Sequence, residues 1–476
     1  MTWQALCLMA YTVVWGFGNT VNGFANQGLK VVVSWMILFL FYFIPYTLMV
    51  GEMGATFENG AGGVSSWIKE TMSSKLAFFA GWTFWVVNIP YLAQKPQNIL
   101  IAMGWAIFQN DQLTTMISPM MLQLISLGIF MFFMWYAAQG VSALKRIGSI
   151  AGSFMFIMSI LYVLLVLAAP YITEAKTFSY SLSWDTFMPN FNFEYMTTLS
   201  ILVFAVGGCE RIAPYVTNLQ NPDKEFPRAM IVMTAMVAVT AVLGTFAMGL
   251  MFDPNNVPKD LMMNGAYYCF AKLGAYYGVG RAFVILYAIC QFFGQAATLA
   301  ISIDAPIKFL LSDVDPKFVP HSFTKINEKG IPVSGYKLTG ILVSILIIGP
   351  WHWRHDNALH LAPAPECHLH AAVLPVGLPG LYGAQTGEKG LQLFLLPYKE
   401  QRHRLYDWFL VLCPDDLCFA HGYGSLRCRN VFFHLVVPDD HERRNAGHPS
   451  WYRPYFPYPC TPRTGKIGRD GITLII

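Results

Sequence analysis

The 476-residue chain is 55% hydrophobic and only 12% charged, with a mean hydropathy of +0.44. A soluble domain holds about a quarter of its residues as charges, so this much apolar surface excludes a single water-soluble core and places the chain in a bilayer. The net charge of +4 is too small and too scattered to suggest a nucleic-acid partner.

Nine segments approach or exceed the roughly 20 apolar residues that cross a hydrocarbon core, at 3–27, 31–53, 76–108, 118–138, 143–168, 197–217, 229–252, 280–310 and 333–350. The first begins at Trp3 without an n-region or a cleavage site. It reads as a membrane span, with room for an upstream start, rather than as a signal peptide. With the N-terminus inside, the cytoplasmic turns hold eleven Lys and Arg residues, among them Lys69, Lys145, Arg146 and Lys329. The opposite side holds five, Lys30, Lys176, Lys259, Lys272 and Arg281, which fits the positive-inside rule. Cys7, Cys209, Cys269 and Cys290 have no paired spacing and lie in or beside apolar runs, as buried free thiols do.

Two spans are interrupted. The first contains Trp15, Gly16, Phe17, Gly18 and Asn19, whose two glycines would weaken a helix by roughly 1 kcal/mol each relative to alanine. The sixth contains Val206, Gly207, Gly208, Cys209, Glu210 and Arg211, a glycine pair followed by two charges. Either cluster alone also reads as a site of close helix packing. Unwound backbone at membrane depth is tolerated where it lines a cavity or is covered by protein. Two such breaks, about 190 residues apart at matched positions, point to a secondary transporter with inverted repeats.

Charges at membrane depth each cost several kcal/mol unless paired or wetted. Glu210 reads as a gating or proton-coupling residue, with a structural hydrogen bond to a neighbouring helix as the alternative. Arg211, beside it, points about 100 degrees away around the helix. Lys95 sits near the middle of the third span, between Pro90 and Pro96. Its ammonium either faces a cavity and pairs with an acidic side chain of a substrate, or it snorkels or forms a fixed pair. Asp304, late in the eighth span, is expected to be solvated or to cap the helix end. Only His321 represents histidine before residue 350, and no metal-spaced acid pair occurs there. No catalytic residue, metal or cofactor is therefore expected, and the chain is not read as an enzyme.

Near residue 350 the composition changes. Residues 1–350 carry all 23 methionines and one histidine, whereas residues 351–476 carry no methionine, ten of the eleven histidines and 12 of the 28 prolines. Cys367, His368 and His370, then Cys413, Cys418 and Cys428, lack the spacing of a zinc finger. Arg427, Arg429, Arg443 and Arg444 make no better case for nucleic acid. An apolar pattern that stops at a sharp point reads as a gained foreign domain or a lost reading frame, and the second is favoured, giving a membrane core at 1–350 and an out-of-frame tail at 351–476. Moving the codon boundary by one base across 351–393 permits an apolar helix, a loop and a second helix ending in basic residues.

Pro45 and Tyr46 through Glu52, Met53 and Gly54, then Phe57, Gly62, Gly63 and Trp67, resemble the end of helix 2 and the re-entrant loop of the amino acid-polyamine-organocation superfamily. Gly208 to Glu210, the segment Asn221 to Ala229, and Gly330, Ile331 and Pro332 extend the resemblance through helices 6 to 9. Within the superfamily the chain is most similar to the bacterial glutamate/GABA antiporter-like branch. The resemblance implies an all-α integral membrane protein of the bacterial inner (plasma) membrane, with the LeuT-like five-plus-five inverted repeat. Helices 1 to 9 are recognisable, and the tail replaces helices 10 to 12; its shifted-frame reading resembles the helix 10 region. A substrate amino acid is implied between helices 1, 3, 6 and 8.

Such a substrate brings a carboxylate, which the N–H groups of Gly16 to Asn19 would bind, and an ammonium, which the carbonyls of Val206, Gly207 and Gly208 would accept. Trp15 and Phe17 belong to the first break. Phe204 lies six residues before Glu210, where the family often carries an aromatic lid. The expectation is a secondary active amino acid transporter, an exchanger, with Glu210 and Lys95 in gating or coupling and an acidic substrate if Lys95 faces it. A non-transporting membrane sensor or accessory subunit with the same fold is the alternative. Membrane lipid is the only other partner implied, and the oligomeric state is left open.

Overall fold

The computed structural model describes residues 1–353 apart from 111, 112, 114, 115, 174–183, 253–260, 328 and 329, together with 409–412 and 417–420. Lys176, Lys259 and Lys329, and nearly all of the tail expected to be out of frame, lie outside the described residues. In the tail, Phe409–Leu412 (β1) and Leu417–Ala420 (β2) pair antiparallel, with Phe409 opposite Ala420.

Among the described residues seven helical stretches are long and apolar enough to cross a membrane, and Trp3–Thr56, at 54 residues, has the length for two crossings of about 20 residues each. With Trp3–Thr56 counted as two crossings and the shorter apolar helix at Val333–Gly349 added, they correspond to the nine segments expected from the sequence. The first span is α1 (Trp3–Val14) and α2 (Phe17–Gln27). The second is α3 (Val31–Leu38) and α4 (Ile44–Thr56), joined by a π turn at Phe39–Phe43. A short α5 (Val64–Thr71) precedes α6 (Ser74–Ile107), α7 (Pro119–Ala137) and α8 (Val141–Ile172). The second half continues with α9 (Trp184–Phe187), α10 (Phe193–Ala205), a 3-10 helix at Cys209–Asn218, α11 (Pro222–Met251), α12 (Leu261–Tyr276), α13 (Ala282–Leu311) and α14 (Val333–Trp353).

Local chemistry sets these boundaries. The Ser73 hydroxyl accepts from the Leu76 N–H at 3.3 Å, and the Ser118 hydroxyl accepts from the Met121 N–H at 3.3 Å with Pro119 at the first helical position. Helix α12 was not among the expected elements. Its 16 residues are too few to cross, and they instead bury Leu261, Phe270 and Leu273 against α2 and α13.

Backbones approach closely where glycine allows it. A Cβ on Gly152 of α8 would lie 2.3 Å from the Leu8 carbonyl oxygen, and one on Gly81 of α6 would lie 2.6 Å from that of Phe309. These contacts hold α1 against α8 and α6 against α13 in the small-residue manner of membrane bundles. Large apolar side chains such as Phe41, at 75% exposure, and Trp135, at 59%, face outward as lipid requires. Cys7, Cys209, Cys269 and Cys290 are buried free thiols.

At the end of α13, α5 is pinned down. The Asp313 carboxylate accepts from the Gly62 N–H at 2.9 Å and from the Ser66 hydroxyl, while Ser65 donates to the Phe309 carbonyl at 2.5 Å. Trp67 is thereby held in the core.

Candidate functional site

The first break lies at Trp15 and Gly16, both extended, with φ and ψ of −125° and 139° and of −139° and 151°. The helix restarts at Phe17. Gly16 is its N-cap and offers no side chain, so the N–H groups at the start of the first turn, ahead of Asn19, and the positive end of the helix dipole face an incoming anion. The Asn19 N–H turns back to the Gly16 carbonyl at 2.9 Å.

The second break follows Ala205. Gly208 adopts a left-handed φ of +107°, a conformation that only glycine takes without strain, and the chain resumes as the 3-10 helix Cys209–Asn218. The two breaks are tied together, because the Asn19 side-chain amide donates to the Ala205 carbonyl at 3.0 Å. A further link joins the first break to α13, where the Thr298 hydroxyl donates to the Thr12 carbonyl at 3.1 Å.

Between these segments lies a cavity of about 540 Å3. Trp15, Gly16, Gly18 and Asn19 line it from the first break, and Phe204, Gly207, Gly208 and Glu210 from the second. Lys95 lines it from α6. Two residues of the expected set do not. Phe17 turns its ring into an aromatic cluster, 4.7 Å from Tyr162 and 5.4 Å from Phe270, and Val206 is fully buried. The Trp15 indole packs edge-on against Trp35 at 5.5 Å.

The lining charges are Lys95, Arg211 and Glu210. Lys95, 7% exposed, donates to the Gln295 Oε1 at 3.4 Å and lies 4.4 Å from the Tyr91 ring centroid. Arg211, 4% exposed, donates to the Ser302 hydroxyl at 3.3 Å, and its guanidinium carbon lies 5.0 Å from the same ring. Glu210 accepts from the Tyr46 hydroxyl, whose ring stacks on Tyr42.

Asp304 is neither solvated nor a helix cap. It is 1% exposed and accepts from Tyr215 at 2.8 Å and Tyr336 at 2.7 Å, with the Lys308 ammonium at 2.8 Å. A carboxylate so far from water needs three partners, and they come from the 3-10 helix, α14 and α13 itself.

Tyr91, Gln291 and Gln295 line the cavity without having been singled out. A signal existed in the spacing. Tyr91, Lys95 and Asn98 recur at i, i+4 and i+7 on one face of α6, as do Gln291, Gln295 and Thr298 on α13. A polar stripe on an otherwise apolar span marks the face that meets a cavity. Among the described residues no group of three His, Cys, Asp or Glu is placed to hold a metal ion.

The family model described as amino acid permease matches residues 1–360. The aspartate/glutamate permease AcaP of Lactococcus lactis subsp. cremoris (strain MG1363) is 50% identical over 352 residues, 73% of this chain and 72% of that protein. The glutamate/gamma-aminobutyrate antiporter of Lactococcus lactis subsp. lactis (strain IL1403) is 24% identical over 328 residues, 68% of this chain and 63% of that protein. Among solved structures, MhsT in complex with L-phenylalanine matches with a TM-score of 0.53 at 13% identity, over 80% of this chain and 88% of that one. That likeness shows the LeuT-like fold.

Proposed function

The chain belongs to the amino acid permease family and is a multi-pass protein of the bacterial inner membrane; from that premise we propose that it exchanges amino acids with acidic side chains. The observation that carries the reading is the Lys95 ammonium, buried at the wall of the cavity between the two helix breaks. A cation held there out of bulk water attracts a second carboxylate more strongly than the same cation would in solution. The substrate's α-carboxylate then meets the N–H groups at Gly16 to Gly18, and its ammonium the carbonyls around Gly207. Support also comes from the relatives, one an aspartate/glutamate permease and one a glutamate/gamma-aminobutyrate antiporter. The second relative carries the exchange part of the reading.

Proteoliposomes test both parts. Vesicles that carry the protein with residues 351–476 restored to the frame expected from the sequence, loaded with unlabelled glutamate, should take up labelled glutamate and aspartate faster than empty vesicles, and glutamine should compete weakly. Equal uptake by loaded and empty vesicles would remove the exchange mechanism. Equal competition by glutamine would remove the acidic substrate.

A further inference from the structure

We infer that Arg211 is a second specificity-determining cation, and that the Tyr91 ring positions it together with Lys95 so that the pair reads the side-chain carboxylate of the substrate. The inference rests on the acidic-substrate reading and deepens it. Lys95 alone does not account for the electrostatics of the cavity. Its wall presents two cations, Lys95 and Arg211, and one anion, Glu210, among the described lining residues. An acidic amino acid carries the opposite set, two carboxylates and one ammonium. Neutral amino acids do not match this set, since they bring one carboxylate and one ammonium. Cationic ones would add a like charge.

The geometry gives the pair a common support. The Lys95 Nζ lies 4.4 Å and the Arg211 Cζ 5.0 Å from one Tyr91 ring centroid, so the two charges are no more than about 10 Å apart, one Debye length at 0.1 M salt. The ring attracts each cation through its quadrupole, and it offsets part of the repulsion between them. Both side chains are held away from bulk water, at 7% and 4% exposure, where charge contacts are strong and an anion entering between two cations relieves their mutual repulsion. Arg211 reaches this place because the left-handed turn at Gly208 redirects the chain after the break, sending the side chain towards α6 and α13, where it also meets Ser302. Arginine is suited to the role, since its planar fork can take a carboxylate bidentately while one face stacks on an aromatic ring.

The test is equilibrium binding of labelled glutamate to the full purified chain in detergent, with competition by aspartate and by glutamine, the neutral isostere. The quantity read is the ratio of glutamine to glutamate apparent Kd. Arg211→Gln should lower that ratio about tenfold or more, the size of one charge-assisted hydrogen bond, while glutamine binding changes little. Tyr91→Leu should lower the ratio as well, and Tyr91→Phe, which keeps the ring, should restore it. A purely structural role for Arg211 or Tyr91 would weaken glutamate and glutamine by the same factor. If Arg211→Gln cannot be recovered folded, Arg211→Lys, which loses the fork, should lower the ratio by a smaller factor, and an unchanged ratio would overturn the inference. A wild-type chain that binds glutamate no better than glutamine would overturn the acidic-substrate reading, and this inference with it. A selective wild type whose ratio survives Arg211→Gln would overturn the inference alone.

Discussion

The Asn19 side-chain amide donates to the Ala205 carbonyl at 3.0 Å, joining the restart of the first span to the end of α10. One hydrogen bond therefore couples two breaks that lie 186 residues apart in sequence. It satisfies a carbonyl that the interrupted helix leaves without its usual partner, and it fixes the distance between the half-helix N-terminus and the opposing backbone. Asn19→Ala should cost about 1 kcal/mol at this link and weaken substrate binding, while Asn19→Asp, which sets a carboxylate against a carbonyl, should do more harm. Thermal midpoint and substrate Kd, measured together, check this. An Asn19→Asp variant as stable and as tight-binding as wild type would show that the link is idle.

For Lys95, the expected change is selective. Lys95→Met should weaken glutamate and aspartate by ~2 to 3 kcal/mol, the scale of a hydrogen bond to a charged group, and neutral amino acids far less. Lys95→Arg should restore only part of the loss, because a guanidinium needs a different geometry beside Gln295 and Tyr91. If Lys95→Met lowered binding of acidic and neutral substrates by one common factor, the lysine would be structural.

Asp304 is expected to matter for stability before transport. Removing it by Asp304→Ala would leave the Lys308 ammonium without its 2.8 Å partner and take the common acceptor from Tyr215 and Tyr336, a loss of about 3 kcal/mol or more. Lys308→Met should cost less, because Asp304 keeps two hydroxyl donors. Detergent thermal-shift measurements on both variants should rank them in that order, and the reverse ranking would place the weight of the network on the lysine.

The tail yields a prediction at the level of the gene. The family model matches residues 1–360, and all 23 methionines lie before residue 351. A one-base insertion or deletion near codon 350 is therefore the expected finding when the nucleotide sequence is compared with that of relatives. A frame-restored protein should exchange amino acids in proteoliposomes, whereas the 476-residue form should be inactive on the reading that its tail replaces helix 10, the last element of the second repeat. Equal uptake by the two forms would show that the replaced segment is not needed.

Much of this protein was legible in one dimension because a bilayer imposes a strong local rule. Backbone in hydrocarbon must satisfy its own hydrogen bonds, so spans must be long, apolar and helical, and a glycine cluster at mid-depth announces a break. Trp15 to Asn19 and Val206 to Gly208 therefore marked the interruptions before any fold was known, and Lys95 and Glu210 marked charges needing an explanation. Sequence could not decide where each of these side chains would point. Phe17 and Gly18 are neighbours, yet only Gly18 meets the cavity, because the restarted helix turns the Phe17 ring towards Tyr162 and Phe270. Asp304 reads locally as a residue near a helix end, and it becomes a buried node once the 3-10 helix and α14 bring Tyr215 and Tyr336 to it. The pairing of Lys95 with Arg211 across Tyr91 belongs to the same class. It joins residues from two spans, 116 positions apart in the chain numbering, and exists only because the turn at Gly208 and the packing of α6 bring them to one ring. Periodicity along a helix reports which face is polar, whereas the partner that face meets is set by long-range packing.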